Sequence, residues 1–160
     1  MKTKKTTNIR ITGLGGMGIL KGSQILAEVL FQAGYDVKKA EVHGMSQRGG
    51  SVASDIRFGE KILSPMIPAS ETDFLLVVAP EEIEIHRGAL RPGGILINAQ
   101  SFDTVPLPNR KSLNIAMLGV LSRHLDIPVE AWQKVIRTVF PEKLQAVNLE
   151  AFETGRRLPQ

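Results

Sequence analysis

A chain of 160 residues, 42% apolar and 22% charged, has the composition of a soluble globular protein long enough to bury one substantial core. It contains no cysteine, which excludes disulfides, thiolate zinc sites, cysteine-ligated iron–sulfur clusters and a cysteine nucleophile on this chain. The 20 basic and 16 acidic residues give a formal charge of +4, without the dense basic stripe and stacking aromatics of a nucleic-acid binder, and no apolar run is long enough to cross a bilayer.

Residues 1–160 are expected to form a single domain, with 1–7 as a flexible basic tail. That tail lacks the apolar core and small-residue cleavage site of a secretory signal, so cytoplasmic residence is the expectation. Asn8-Ile9-Arg10-Ile11-Thr12 alternates polar and apolar residues and predicts a short strand. It runs into Gly13-Leu14-Gly15-Gly16-Met17-Gly18, a G-x-G-x-x-G pattern with an extra glycine at Gly16. Ile19, Ile25, Leu26, Val29 and Leu30 then fall on one helical face that stops near Gly34, and a second strand follows from Asp36 to Val42. The whole has the length of a βαβ unit, about 35 residues.

Glycine suits such a turn because a positive φ is accessible and a phosphate can approach the backbone where no Cβ intervenes. The following helix N-terminus offers unpaired N–H groups and a partial positive charge. Gly13, Gly15, Gly16 and Gly18 are therefore candidates for binding a phosphate, against the alternative of a purely structural turn. A dinucleotide-binding unit would also want an acid at the end of the second strand for the ribose, and Glu41 stands near that place. Glu41, however, leads directly into His43-Gly44-Met45-Ser46-Gln47-Arg48-Gly49-Gly50-Ser51 rather than into another helix. This run has three glycines, one fixed cation and little to bury, so it is read as an anion-facing or partner-facing loop with Arg48 as its main charge.

Ser51 to Phe58 alternates cleanly and predicts a strand with one wet face, and Gly59-Glu60 is read as a turn into Lys61-Ile62-Leu63, an edge hairpin. Pro65 and Pro68 end that pattern. The glycine loop, the stretch His43 to Val52 and Ser64-Pro65-Met66-Ile67-Pro68 together resemble the gamma subunit or domain of 2-oxoacid:ferredoxin oxidoreductases, with the small beta subunit of the indolepyruvate enzymes as the closest likeness. Met17 stands where that family usually has Gln. The resemblance implies a Rossmann-like, non-catalytic subunit of a thiamine diphosphate enzyme that oxidatively decarboxylates a 2-oxoacid, such as an aryl pyruvate, to an acyl-CoA and reduces ferredoxin. It implies that thiamine diphosphate and the iron–sulfur clusters lie on a catalytic alpha-type partner subunit. This chain would then carry no catalytic residue, no covalently bound cofactor and no metal, and would contact coenzyme A through Gly13, Gly15, Gly16, Gly18 and Arg48. His43 to Ser51 would lie at the partner or active site. The competing reading is a stand-alone dinucleotide-binding protein or NAD(P)-dependent reductase.

Phe74 to Ala79 is a continuous apolar run, as in a strand buried on both faces. Pro80 opens a helix whose Glu81, Glu82 and Glu84 suit the positive end of the helix dipole better than an acid/base pair. Arg91-Pro92-Gly93-Gly94 predicts a turn and Ile95 to Asn98 another buried strand, whose end makes Asn98 a weak site candidate. Leu113 to His124 and the stretch after Pro128 have helical periodicity, with Met117 and Trp132 as core, and the tail from Pro141 forms one more helix or a docking arm. His86 and His124 are read as exposed or helix-end residues without metal-ligand spacing. The expected fold is a three-layer Rossmann-like α/β domain with a mostly parallel sheet, β-α-β first, an edge hairpin and C-terminal helices.

Overall fold

The computed structural model describes residues 5–43 and 50–159, with the backbone alone at His43. In chain order it contains β1 (Thr7–Leu14), α1 (Ile19–Gln32), β2 (Asp36–His43), β3 (Ser51–Gly59), β4 (Thr72–Val77), α2 (Ile83–His86), β5 (Leu90–Asn98), α3 (Leu113–Ser122), α4 (Val129–Val139) and α5 (Glu142–Arg156). The strands form one open sheet in the order β2-β3-β1-β4-β5. β1, β4 and β5 pair in parallel, and β3 runs antiparallel to both β1 and β2, so four strands point one way and β3 the other.

The predicted α/β class holds, with a mixed sheet in which β1–β4 and β4–β5 pair in parallel and β1–β3 and β2–β3 antiparallel. β2 runs in the same sense as β1 but does not touch it, because β3 is inserted between them. The edge hairpin is β2–β3, closed through 44–50. Lys61-Ile62-Leu63 forms no strand. Instead Ile62 turns inward, 4% exposed, and its N–H donates to Asp36 Oδ2 at 2.7 Å, which ends the antiparallel ladder before Pro65. The Arg91 to Gly94 turn is absorbed into β5 as an irregularity: Thr72 faces Leu90 but Phe74 faces Ile95.

The apolar core lies on one face of the sheet. Ile9, Ile11, Ile56 and Leu76 meet Ile25, Leu26, Val29 and Leu30 of α1 there, all at most 2% exposed. A buried Ser23–Ser54 hydroxyl pair, 2.5 Å apart, satisfies the two polar groups where α1 crosses β3. α3 is apolar on all sides and is wrapped by its neighbours, with Ile115 to Leu118 fully buried. Its close partner is α5: a Cβ added at Gly119 would overlap the Phe152 carbonyl, and one at Gly155 the Ala116 carbonyl. Trp132 of α4 stacks on Phe152 of α5 with centroids 5.7 Å apart, which makes it the core anchor expected. The tail from Pro141 is thus a packed helix. Among the described residues the opposite face of the sheet carries a small apolar cluster of Leu75, Val77 and Ile83 under the single turn of α2.

Candidate anion-binding cleft

The first glycine of the motif is part of β1. Gly13 is buried, and a Cβ there would press on Ile19 Cδ1 at 2.8 Å and Val78 Cβ at 3.3 Å, so its glycine lets the strand end pack against α1. The exposed turn is Gly15-Gly16-Met17-Gly18. Gly18 caps α1 with φ 75°, and a Cβ there would also strike the side chain of Asn114. Asn114 Nδ2 donates to the Gly18 carbonyl at 2.9 Å, which ties the start of α1 to α3. Among the described residues no side chain caps α1 and its first turn holds no acid, which suits its positive dipole end to an anion.

Gly16, Met17 and Gly18 form one wall of a cleft of about 680 Å³. Val78, Leu113, Phe140, Leu144 and Val147 supply apolar surface, while Lys21, Arg110 and Lys111 supply three cations. No carboxylate lines it among the described residues. Lys21 Nζ lies 5.8 Å from the centroid of the Phe140 ring, and Arg110 is braced by donating to the Phe102 carbonyl at 3.0 Å. The turn bearing Arg110 and Lys111 is set by Asn109, whose Oδ1 accepts from Lys111 N at 2.9 Å. The cleft therefore combines an apolar floor with a positive rim and the N-terminal turn of α1, an arrangement suited to a ligand with both phosphate and apolar parts.

The two predicted loops meet. Gly15 N donates to the Gly50 carbonyl at 2.9 Å, and Ser51 stands opposite Leu14 in the β1–β3 ladder. His43 ends β2 opposite Val52. Gly44, Met45, Ser46, Gln47, Arg48 and Gly49 lie outside the described residues. Ser51 Oγ is 2.9 Å from both carboxylate oxygens of Glu82, which is only 4% exposed, so Glu82 is a buried acceptor rather than a solvated helix-start charge. His86 Nε2 lies 3.4 Å from Glu82, and its side chain is 13% exposed rather than free at a helix end. Burial and the charge of Arg10 hold the His86 pKa below its ordinary value, against the pull of Glu82. Asn98 is used locally, its Oδ1 accepting from Gln100 N at 3.0 Å.

Sequence reasoning singled out neither Lys21, Arg110 and Lys111 nor Asn114. The cations occur on segments far apart in the chain, and no local spacing announces that they converge. Glu41 sits on β2, separated from the glycine loop's own strand by β3, and pairs with Lys39 at 3.1 Å. The ribose-binding acid of a dinucleotide site is thus displaced by a strand width, about 5 Å per strand, and the stand-alone dinucleotide reading loses its support. Among the described residues no group of three or more His, Asp or Glu could hold a metal ion, and no helix is long and apolar enough to cross a membrane.

The sequence matches the family model "Pyruvate ferredoxin/flavodoxin oxidoreductase" over residues 8–111 and 101–158. It is 33% identical to the indolepyruvate oxidoreductase subunit IorB of Thermococcus kodakarensis, covering 94% of this chain and 95% of that one. The corresponding subunit of Pyrococcus horikoshii is 31% identical with the same coverage. The fold superposes on the gamma subunit of a keto/oxoacid ferredoxin oxidoreductase from Geobacter sulfurreducens with a TM-score of 0.77, 20% identity and 96% of both chains covered. It also superposes, with a TM-score of 0.82 and 23% identity, on 31% of a chain of 2-oxoglutarate:ferredoxin oxidoreductase from Magnetococcus marinus, solved with 2-oxoglutarate, coenzyme A and succinyl-CoA bound; 97% of the present chain is covered. With a family match spanning nearly its whole length and relatives above 30% identity end to end, the chain belongs to the pyruvate ferredoxin/flavodoxin oxidoreductase family.

Proposed function

We propose that this chain is the non-catalytic, gamma-type subunit of a cytoplasmic 2-oxoacid:ferredoxin oxidoreductase of the indolepyruvate type, and that its cleft receives the phosphates of coenzyme A. The observation that carries the ligand reading is a cleft beside the glycine loop lined, among the described residues, by three cations and no carboxylate. The iron–sulfur clusters belong to a catalytic alpha-type partner, because this chain contributes no cysteine ligand for a cluster, and the family resemblance assigns thiamine diphosphate and the oxidation of the aryl pyruvate to the same partner. The partner is supported by the relatives, which are named as subunits, and coenzyme A by the fold's likeness to part of an enzyme solved with that ligand. Within this chain Lys21, Arg110 and Lys111 attract the phosphates, the α1 N-terminus and the glycine-loop N–H groups orient them, and Met17, Phe140 and Leu144 cover the apolar part. Arg48, the fixed cation of the glycine-rich motif that ends at Gly50 and Ser51, is a further candidate contact for the phosphates.

Co-expression with a cluster-bearing alpha-type subunit of the indolepyruvate enzymes tests the partnership: the two are expected to purify as one complex that reduces ferredoxin with an aryl pyruvate and coenzyme A. Recovery of this chain alone, with binding of NAD(P) and none of coenzyme A, overturns the reading. In the complex, Lys21→Ala, Lys111→Ala and Arg48→Ala are each expected to raise the KM for coenzyme A about three- to tenfold, the effect of one charge-assisted contact. Unchanged KM in all three removes the cleft from coenzyme A handling.

A further inference from the structure

The Glu82 carboxylate sits on the face of the sheet away from the cleft, beyond the end of β4. Burying a charge there is costly unless it is paired and hydrogen-bonded. Among the described residues two side chains meet it: the Ser51 hydroxyl, 2.9 Å from both oxygens, and His86 Nε2 at 3.4 Å. Ser51 is the first residue of β3 and follows Gly50, whose carbonyl accepts the Gly15 N–H. Gly15 in turn leads into the Gly16 to Gly18 wall of the cleft. A continuous path of short contacts therefore runs from Glu82 through Ser51 and Gly50 to the glycine loop, crossing from one face of the sheet to the other.

We propose that Glu82 is a positioning residue for the anion cleft: by holding Ser51 it fixes Gly50, and so the height at which Gly15 and the glycine loop stand over the start of α1. The proposal rests on the reading of the cleft as the coenzyme A site. Glu82 acts on the cleft through Ser51.

The test uses the assembled complex and four variants: Glu82→Ala, Glu82→Gln, Ser51→Ala and the double Ser51→Ala/Glu82→Ala. Glu82→Ala is expected to raise the KM for coenzyme A about tenfold, the loss of one hydrogen bond to a charged group, with kcat at saturating coenzyme A unchanged. Ser51→Ala is expected to match it, the double variant to add nothing, and Glu82→Gln, whose amide oxygen still accepts from Ser51, to stay within about twofold of the parent. Amide hydrogen exchange over residues 13–18 supplies a readout independent of any ligand: exchange at Gly15 accelerates in Glu82→Ala and Ser51→Ala and not in Glu82→Gln. A fall in melting temperature with KM and Gly15 exchange unchanged makes Glu82 merely structural and overturns the proposal, as do additive effects in the double variant. If Lys21→Ala moves KM and the Glu82 variants do not, positioning alone fails. If neither moves KM, the coenzyme A reading fails and the proposal with it.

Discussion

On the helical face of the sheet, Ile9, Ile11, Ile56 and Leu76 sit under four helices in one apolar core. On the other face the same strands carry Asn8, Arg10, Asp55, Arg57 and Asp73, under one turn of helix. Arg10 holds Asp55 with two hydrogen bonds of 2.7 and 2.9 Å, and Arg57, Asn8, Asp73 and Arg91 are linked in a chain of short polar contacts. The first face stabilises through area and shape complementarity, which are unforgiving of added volume. The second works through paired charges, each of modest net worth but costly to leave single. The β3 strand belongs to both, and it is the strand that brings Gly50 and Ser51 to the glycine loop.

The α3–α5 contact is where this contrast breaks most sharply. Gly155→Val places a branched side chain against the Ala116 carbonyl and forces α3 and α5 apart. The expected loss is at least about 3 kcal/mol, read as loss of a cooperative urea transition or of soluble protein. Gly88→Ala, where an added Cβ meets nothing within 4 Å, is expected to change stability by less than about 0.5 kcal/mol. On the polar face, Asp55→Ala strands the Arg10 guanidinium and is expected to cost about 2 kcal/mol in urea unfolding. The exposed Lys38–Asp36 pair gives the control: Lys38→Ala should cost less than about 0.5 kcal/mol and lose even that in high salt. Equal effects at Asp55 and Lys38 would mean that the polar face is ordinary solvated surface.

The helical face was legible in the sequence because its signals are local. The apolar spacing of α1, the apolar run from Phe74 and the glycine pattern after β1 each declare their element within a dozen residues. The strand alternation of Ser51 to Phe58 was equally clear, yet alternation names the face of a residue and not the neighbour of its strand. The insertion of β3 between β1 and β2 is a pairing between segments 45 residues apart, as Arg10 and Asp55 are, and nothing nearby encodes it. Glu82 was hidden for the same reason: Glu81 and Glu84 beside it are exposed, and only contact with Ser51 separates it from a helix-start cluster. Lys21 and Lys111 look like any surface lysine until α1 and the turn before α3 bring them to one cleft.

A smaller effect, one of pH, lies at His86, whose imidazole stands beside Glu82 on the polar face. Burial and the Arg10 charge lower its pKa below the ordinary 6.5, and the attraction of Glu82 offsets this only in part. As pH falls through about 6.5 the unfolded chain therefore binds its proton before the folded one, so this group's contribution to stability is present at neutral pH and is lost on acidification. His86→Gln removes that contribution, and its melting temperature should depend less steeply on pH than the parent's between neutrality and about pH 5. His124, lowered by burial and by Arg123 but exposed just beyond α3, should show the same sign with a smaller change in slope. A parent protein that instead gains stability on acidification through this window, with the gain abolished by His86→Gln, would show that Glu82 outweighs burial. His86 would then be a charged partner of Glu82, and the polar face would be held by one more ion pair than its geometry at neutral pH provides.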